Sequence, residues 1–195
     1  MNSQQQSTLR QSIRDKRRLI SKQKQQQHSE SIIHQLIHSQ VYQNSYDIAL
    51  YLSTDGEVDL NSLMSILFQD NKKVYLPIIL SAQKGIMKFV PYHQENLLEK
   101  NCFGILEPLY EDKDLVAIEQ LDLILAPLVG FDESGNRIGM GGGYYDRALQ
   151  NLKTGALKTQ FIGVAHELQK VEKLQAREWD IPLHGIITEE RFSYF

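Results

Sequence analysis

A chain of 195 residues suits a single domain with room for a substantial core. Apolar residues make up 42% and charged residues 23%, ordinary values for a soluble globular protein, and a formal charge of −3 argues against a bulk nucleic-acid binder. Cys102 is the only cysteine, which excludes an internal disulfide and a cysteine-based zinc cluster. No charged region followed by an apolar run opens the chain, so no signal peptide is expected, and no apolar run approaches the roughly 20 residues of a membrane span. The expected compartment is the cytoplasm.

Residues 1–6 (MNSQQQ) read as a frayed, disordered start. Thr8 to Gln26 reads as a helix with a thin apolar face of Leu9, Ile13 and Ile20, made strongly basic by Arg10, Arg14, Lys16, Arg17, Arg18, Lys22 and Lys24. A second helix from Ser29 to Ser39 carries Ile32, Ile33, Leu36 and Ile37 at helical spacing. The period then changes. "YDIALYLS" (46–53) predicts a buried strand, "STDGE" (53–57) a loop and "VDLNSLMSILFQD" (58–70) a helix. "KVYLPIIL" (73–80) predicts a strand near a sheet edge or near its own end, because Pro77 cannot donate to a ladder. Strands follow at 85–92, 121–128, 160–166 and 184–188, with a loop-rich stretch at 93–119 and a turn at Ser134-Gly135-Asn136. A further helix is expected to start in the glycine-rich region and run to Leu152. This alternation predicts an α/β fold: a single-domain three-layer sandwich over residues 1–195, with a mainly parallel sheet flanked by helices.

The segment "RIGMGGGYYDRAL" (137–149) carries the most chemistry. It follows the strongest strand and precedes a helix, where open α/β sheets collect ligands, and glycine lets a phosphate approach backbone N–H groups. The dinucleotide and Walker loops both fail: the third glycine of the first would fall on Tyr144, and Gly143-Tyr144-Tyr145 does not supply the Gly-Lys-Ser/Thr of the second. A tight turn that uses glycine only for left-handed backbone is the competing reading. Asp146 in the first turn of the helix is equally suited to stabilising the helix start or to holding Mg²⁺, which takes one or two carboxylates and keeps several waters.

The longer segment "LAPLVGFDESGNRIGMGGGYYDRAL" resembles the signature of the 5-formyltetrahydrofolate cyclo-ligase family, also called 5,10-methenyltetrahydrofolate synthetases. "LRQSIRDKRR", "LYLSTDGEVDL", "GILEP" and "EWDIPLHGIITEE" resemble other family elements in the same order, so the likeness runs from Leu9 to Glu190, and the wording is that of the bacterial branch. The resemblance implies a fold related to isomerase and CoA-transferase folds. It also implies ATP- and Mg²⁺-dependent cyclisation of 5-formyltetrahydrofolate, with or without a polyglutamate tail, to 5,10-methenyltetrahydrofolate with release of ADP and phosphate. The formyl oxygen would be phosphorylated and N10 would then close the ring. No nucleic-acid or membrane partner is implied, and a monomer is expected.

Carried onto this chain, the resemblance assigns ATP to Arg10, Arg137, Ile138, Gly139, Met140, Gly141, Gly142, Gly143, Tyr144 and Tyr145. It assigns Mg²⁺ to Asp146 and Asp180. Folate falls to Leu52, Glu57, Phe103, Met140 and Tyr144, and the catalytic candidates are Arg10, Glu57 and Tyr145. Family members often carry a lysine four residues before the arginine matched by Arg10, where this chain has Gln6, so a charge contact to ATP is lost there. On residue chemistry alone Arg10 could be one more solvated charge, Asp180 a turn residue before Pro182, Glu57 an exposed loop acid and Phe103 plain core.

Two other functions compete. The basic first helix could bind RNA, although it lacks aromatic residues for stacking on bases. An ATP-independent sugar-phosphate isomerase or CoA-transferase is suggested by fold analogy alone. His34 and His38, four apart, have zinc-compatible spacing but no evident third ligand, and Cys102 reads as a buried or bystander thiol.

Overall fold

The six predicted strands and one more near the end of the chain assemble as a seven-stranded sheet in the computed structural model, which describes residues 3–80, 85–154 and 158–195. In chain order the strands are β1 (Asp47–Ala49), β2 (Lys73–Ile79), β3 (Met87–Tyr92), β4 (Leu98–Lys100), β5 (Leu106–Pro108), β6 (Leu123–Pro127), β7 (Gly130–Phe131), β8 (Arg137–Ile138), β9 (Gln160–Val164), β10 (Gly185–Ile187) and β11 (Phe192–Tyr194). The α-helices are α1 (Ser3–Arg18), α2 (Lys22–Ile37), α3 (Gln40–Gln43), α4 (Asn61–Gln69) and α5 (Tyr144–Ala148).

The main sheet runs β11-β10-β9-β6-β1-β2-β3. β10, β9, β6, β1 and β2 are parallel, and antiparallel β11 and β3 form the two edges. From β1 the chain first builds towards β2 and β3, then crosses back to place β6 on the other side of β1. The order therefore reverses between β1 and β6, and their carboxyl ends open a crevice there. β4–β5 and β7–β8 form two small antiparallel hairpins.

Strand alternation divides the core between the two faces of the sheet. Ile48, Leu50, Val74, Leu76, Leu123, Leu125 and Ile162 pack with Ile32, Leu36, Leu63 and Leu67 from α2 and α4. Ala49, Tyr75, Ile124, Ala126, Phe161 and Ile186 pack on the other face with Phe131, Leu149 and Leu152. Each fully buried aliphatic or aromatic side chain stabilises the fold by about 1.5–3 kcal/mol. Pro77 lies in β2 beyond the three residues paired with β1, where a missing N–H leaves no gap in that ladder.

Several boundaries differ from expectation. The basic segment predicted as one helix from Thr8 to Gln26 is split: α1 ends at Arg18, Ser21 caps α2 by accepting from Lys24 N at 3.3 Å, and α2 absorbs the predicted start at Ser29. The N-terminus is helical from Ser3, and Gln6 is buried, where a frayed start was expected; Met1 and Asn2 lie outside the described residues. α1 docks through Ile13 on Val129, Ile138 and Leu174. The helix predicted to reach Leu152 stops as α5 at Ala148 and continues as a 3₁₀ turn over Gln150–Thr154. β11, in the short tail 191–195, was not anticipated.

Candidate active site

Two loops leave the carboxyl ends of β1 and β6 and face one another across the crevice. The loop after β1 carries Leu52, Asp55 and Glu57. The segment after β6 turns through β7–β8 and ends in the glycine loop 139–143.

In the glycine loop, Gly141 has φ +105° and Gly143 φ +63°, both in the region that penalises any Cβ. A Cβ added at Gly139 or Gly141 would meet nothing within 4 Å, so this backbone faces open space. Among the described residues, the N–H groups of residues 139–143 donate no hydrogen bond. Arg147 braces the loop from behind, donating to Gly142 O at 2.5 Å and to Gly85 O at 2.7 Å, with its guanidinium over the Tyr144 ring. Arg147 thus turns back to the loop rather than away along the helix. α5 has only five residues, so any attraction for an anion here would come from the loop amides and not from a long helix dipole.

Arg10 reaches the loop from α1 and donates to Gly139 O at 2.8 Å. Gln6 Oε1 accepts from Arg177 at 2.8 Å and from Arg10 at 3.4 Å, so the residue replacing the family lysine bridges two guanidiniums. Burial, then the charge of Arg177, lowers the Arg10 pKa, and Asp180 opposes the shift. Arg10, Arg177 and Asp180 therefore share one electrostatic neighbourhood. Asp180 also accepts from Arg177 N at 2.8 Å, so it does close a turn.

Asp146 Oδ1 accepts from Arg137 at 2.8 Å and from Ile181 N at 3.2 Å. Arg137 is nearly buried, also donates to Ile181 O at 2.6 Å and lies 4.9 Å from the Phe161 ring centre. Its guanidinium orients Asp146 rather than standing free for a phosphate. Asp146 and the Arg177–Ile181 turn are thus joined directly, and an open depression lined by Gln150, Lys153, Glu178, Trp179 and Ile181 adjoins them. Ile138 is buried in the α1 contact and its carbonyl already accepts from Val129 N, so its side chain does not face the crevice. Met140 is exposed at the loop tip.

On the other wall, Glu57 is held by Thr54, whose N–H and hydroxyl donate to Oε2 at 3.0 and 3.3 Å. Its side chain is only 11% exposed, which overturns the reading of an exposed loop acid. Burial raises its pKa, against the hydrogen bonds from Thr54 and the charge of Arg17. Tyr145 lies close enough for the Glu57 charge, after burial, to push its hydroxyl pKa up, so the structure brings these two candidates together across the crevice. Tyr145 also stacks on Phe161. Leu52 is partly buried against the core. Phe103, at the tip of the β4–β5 hairpin, is 59% exposed and meets the Tyr144 ring edge-on at 6.1 Å; it is not core. Cys102 beside it is exposed rather than buried.

Arg17 was counted only as one charge of a basic helix, yet its side chain is fully buried. It donates to Asp55 O at 2.9 Å, Asp55 Oδ2 at 3.0 Å and Leu128 O at 3.2 Å, tying the loops after β1 and β6 to α1. Arg14 and Arg18 converge on the same Asp55 carboxylate, which they hold below the ordinary aspartate range against the cost of burial. The signal was present in the sequence. Gln6, Arg10, Ile13 and Arg17 recur every three or four residues and share one helix face, the face Ile13 buries. Arg10, Arg14, Arg17 and Arg18 of α1 thus all make contacts within the protein.

The chain matches the 5-formyltetrahydrofolate cyclo-ligase family over residues 2–189. It belongs to that family. A 5-formyltetrahydrofolate cyclo-ligase of Escherichia coli K12 is 38% identical over 179 residues, covering 92% of this chain and 97% of the relative. The Haemophilus influenzae cyclo-ligase is 36% identical over 187 residues, covering 96% and 99%. Among solved structures, the Aquifex aeolicus 5,10-methenyltetrahydrofolate synthetase superposes with a TM-score of 0.81 at 32% identity, covering 96% of this chain and 91% of that one. The Mycoplasma pneumoniae enzyme of the same name gives 0.75 at 25% identity, covering 94% and 98%. The likeness to a solved cyclo-ligase fold thus extends over 96% of this chain. No described helix is long and apolar enough to cross a membrane.

Proposed function

We propose that this cyclo-ligase family member converts 5-formyltetrahydrofolate to 5,10-methenyltetrahydrofolate at the expense of ATP, in the crevice between the Glu57 loop and the glycine loop. The observation that carries the reading is the glycine loop itself: five consecutive amides that donate to no partner among the described residues, with open space at Gly139 and Gly141 and Arg10 on the flank. Such a surface suits a triphosphate, whose transferred group needs charge stabilisation and alignment more than covalent help.

Asp146 and Asp180 fit a Mg²⁺ ion by donor chemistry. Both offer carboxylate oxygens, Asp146 is held in place by Arg137, and magnesium takes one or two carboxylates while keeping its remaining waters. When bound, the ion would neutralise phosphate charge.

The chain's own residues supply position. Glu57 accepts hydrogen bonds from the N–H groups of the pteridine, Leu52 forms a wall, and Phe103 and Tyr144 flank the ring system. Met140 closes over the ligands from the loop tip. Tyr145, whose raised pKa keeps its hydroxyl protonated, serves as a donor beside Glu57. The formyl oxygen attacks the γ-phosphorus and ADP departs. N10 then attacks the activated carbon and loses its proton, and the C–O bond breaks to release phosphate carrying the former formyl oxygen. No protein nucleophile is required, and holding both reactants in register accounts for much of the acceleration.

Substrate labelled with ¹⁸O in the formyl group tests this route. The label is expected in the released phosphate. Its appearance in water, or product formed without ATP, would contradict the route.

A further inference from the structure

Behind the Glu57 loop, away from the glycine loop, three chain segments bring metal-binding groups together. His28 comes from α2, His166 from the end of β9 and Glu189 from the turn after β10. The Nδ1 atoms of the two histidines are 2.8 Å apart, and Glu189 Oε1 lies 3.2 Å from His28 Nδ1. One donor atom from each residue falls within 4.8 Å of the others.

The hydrogen bonds around the cluster fix which atoms carry lone pairs. Gly56 O can only accept, so His166 Nε2, 3.2 Å away, carries the proton. His166 Nδ1 therefore presents its lone pair to His28 Nδ1. Glu189 Oε2 accepts from Glu167 N at 3.0 Å, which leaves Oε1 aimed at the two rings. A ring lone pair and a carboxylate oxygen thus converge on a single shared proton, that of His28 Nδ1. Ligating histidines typically donate their second N–H to a carbonyl and ligating carboxylates are typically anchored by a further donor; both supports are present.

We infer that His28, His166 and Glu189 form a binding site for one Zn²⁺ ion, separate from the magnesium site. Two imidazoles and a carboxylate suit zinc, whereas magnesium prefers oxygen donors in octahedral geometry. Tetrahedral ligands about 2.0–2.1 Å from zinc sit about 3.3 Å apart, so the imidazoles separate by roughly half an ångström. His28 moves its proton to Nε2 and ligates through Nδ1, and a water completes the coordination. Burial, above all, lowers the His166 pKa to about 4 and keeps the ring in the neutral form a metal needs. Glu189 is partly exposed and gives the ion an entry path. The occupied site would staple α2 to the carboxyl ends of β9 and β10, and through Gly56 to the loop that carries Glu57.

The test is titration of chelator-stripped, untagged protein with Zn²⁺ by calorimetry in buffer free of Mg²⁺ and ATP, with Co²⁺ absorption as a second probe. One zinc per chain with submicromolar Kd is expected, together with intense visible Co²⁺ bands of a low-coordinate site. Glu189→Gln, which preserves shape, and His28→Gln should each weaken zinc binding at least about 10-fold while metal-free thermal unfolding confirms the fold. The double variant His34→Ala/His38→Ala removes the other histidine pair and should bind zinc as the parent does. Absence of saturable zinc binding to the parent protein would overturn the inference. So would binding that survives both His28→Gln and Glu189→Gln, or binding lost in the His34/His38 variant; a simple histidine–histidine hydrogen bond would then be all the cluster provides.

Discussion

In the proposed site, Asp146 would serve two purposes. One oxygen is already paired with nearly buried Arg137 and the Ile181 N–H, so the side chain is oriented before any ligand arrives. Asp146→Asn keeps the shape but leaves Arg137 without its counter-charge. Without metal, this variant should lose about 1–3 kcal/mol in chemical denaturation. In steady-state assays its apparent requirement for Mg²⁺ should rise at least about 10-fold with little change in folate binding. A wild-type magnesium dependence would remove Asp146 from the metal site. Glu57→Gln should raise the folate KM about 10-fold, roughly 1.4 kcal/mol of binding, and leave the KM for ATP nearly unchanged. Unaltered folate KM would retire Glu57 as a pteridine contact. Glu57 was singled out only through the resemblance, because a lone Glu in a loop carries no distinguishing periodicity, whereas Asp146 drew notice by its place in the first turn after the glycine loop. Arg17 was legible by spacing but hidden by its neighbours: Lys16 and Arg18 on either side make a buried arginine look like one charge of a solvated run. Its burial depends on Asp55, 38 positions away, and no local pattern announces such a partner.

Among the elements, the glycine loop and α1 form a unit. Arg10 ties the helix to the loop, Ile13 packs on the β7–β8 hairpin that leads into it, and Arg17 ties both to the Glu57 loop. Gly141→Ala should separate the loop's conformation from its composition. An alanine at φ +105° costs about 1–3 kcal/mol of backbone strain and adds a methyl to the open side where phosphate would lie. The KM for ATP should rise about 10-fold or more while folate binding persists, as read by steady-state kinetics and folate fluorescence titration. Equal loss of both would mean the loop only organises the fold. The strands of the main sheet were read well because five parallel strands buried on both faces leave compact apolar runs. The helix limits were read less well. Ser21 is one serine in a polar stretch, and only the capping bond to Lys24 N makes it a boundary. β11 escaped because it is three residues long and its pairing with β10 is a tertiary contact that so short a segment does not advertise.

At the scale of the molecule, the reversal of strand order between β1 and β6 creates the crevice, and buried polar clusters behind it bind the surrounding segments together. One of them gives the fold a pH signature. His166 has an ordinary pKa of 6.5 unfolded and about 4 folded, set first by burial and then by the charges of His28 and Arg17, with Gly56 O opposing. Above pH 6.5 both states are neutral and the contribution is complete. As the pH falls from 6.5 to 4 the unfolded chain takes a proton that the folded chain refuses, so up to about 3 kcal/mol of stability is lost. Urea denaturation of metal-free protein across that range should show the decline, and His166→Gln should flatten it. A slope unchanged by the substitution would place the acid sensitivity elsewhere. The central claim concerns the crevice itself, and the most direct measurement is to follow the absorbance of 5,10-methenyltetrahydrofolate when the purified protein meets 5-formyltetrahydrofolate and Mg²⁺, with and without ATP. Product in equal amount to the ADP formed, and none without ATP, is the predicted result; product without ATP, or none from folded protein supplied with both substrates, would contradict it.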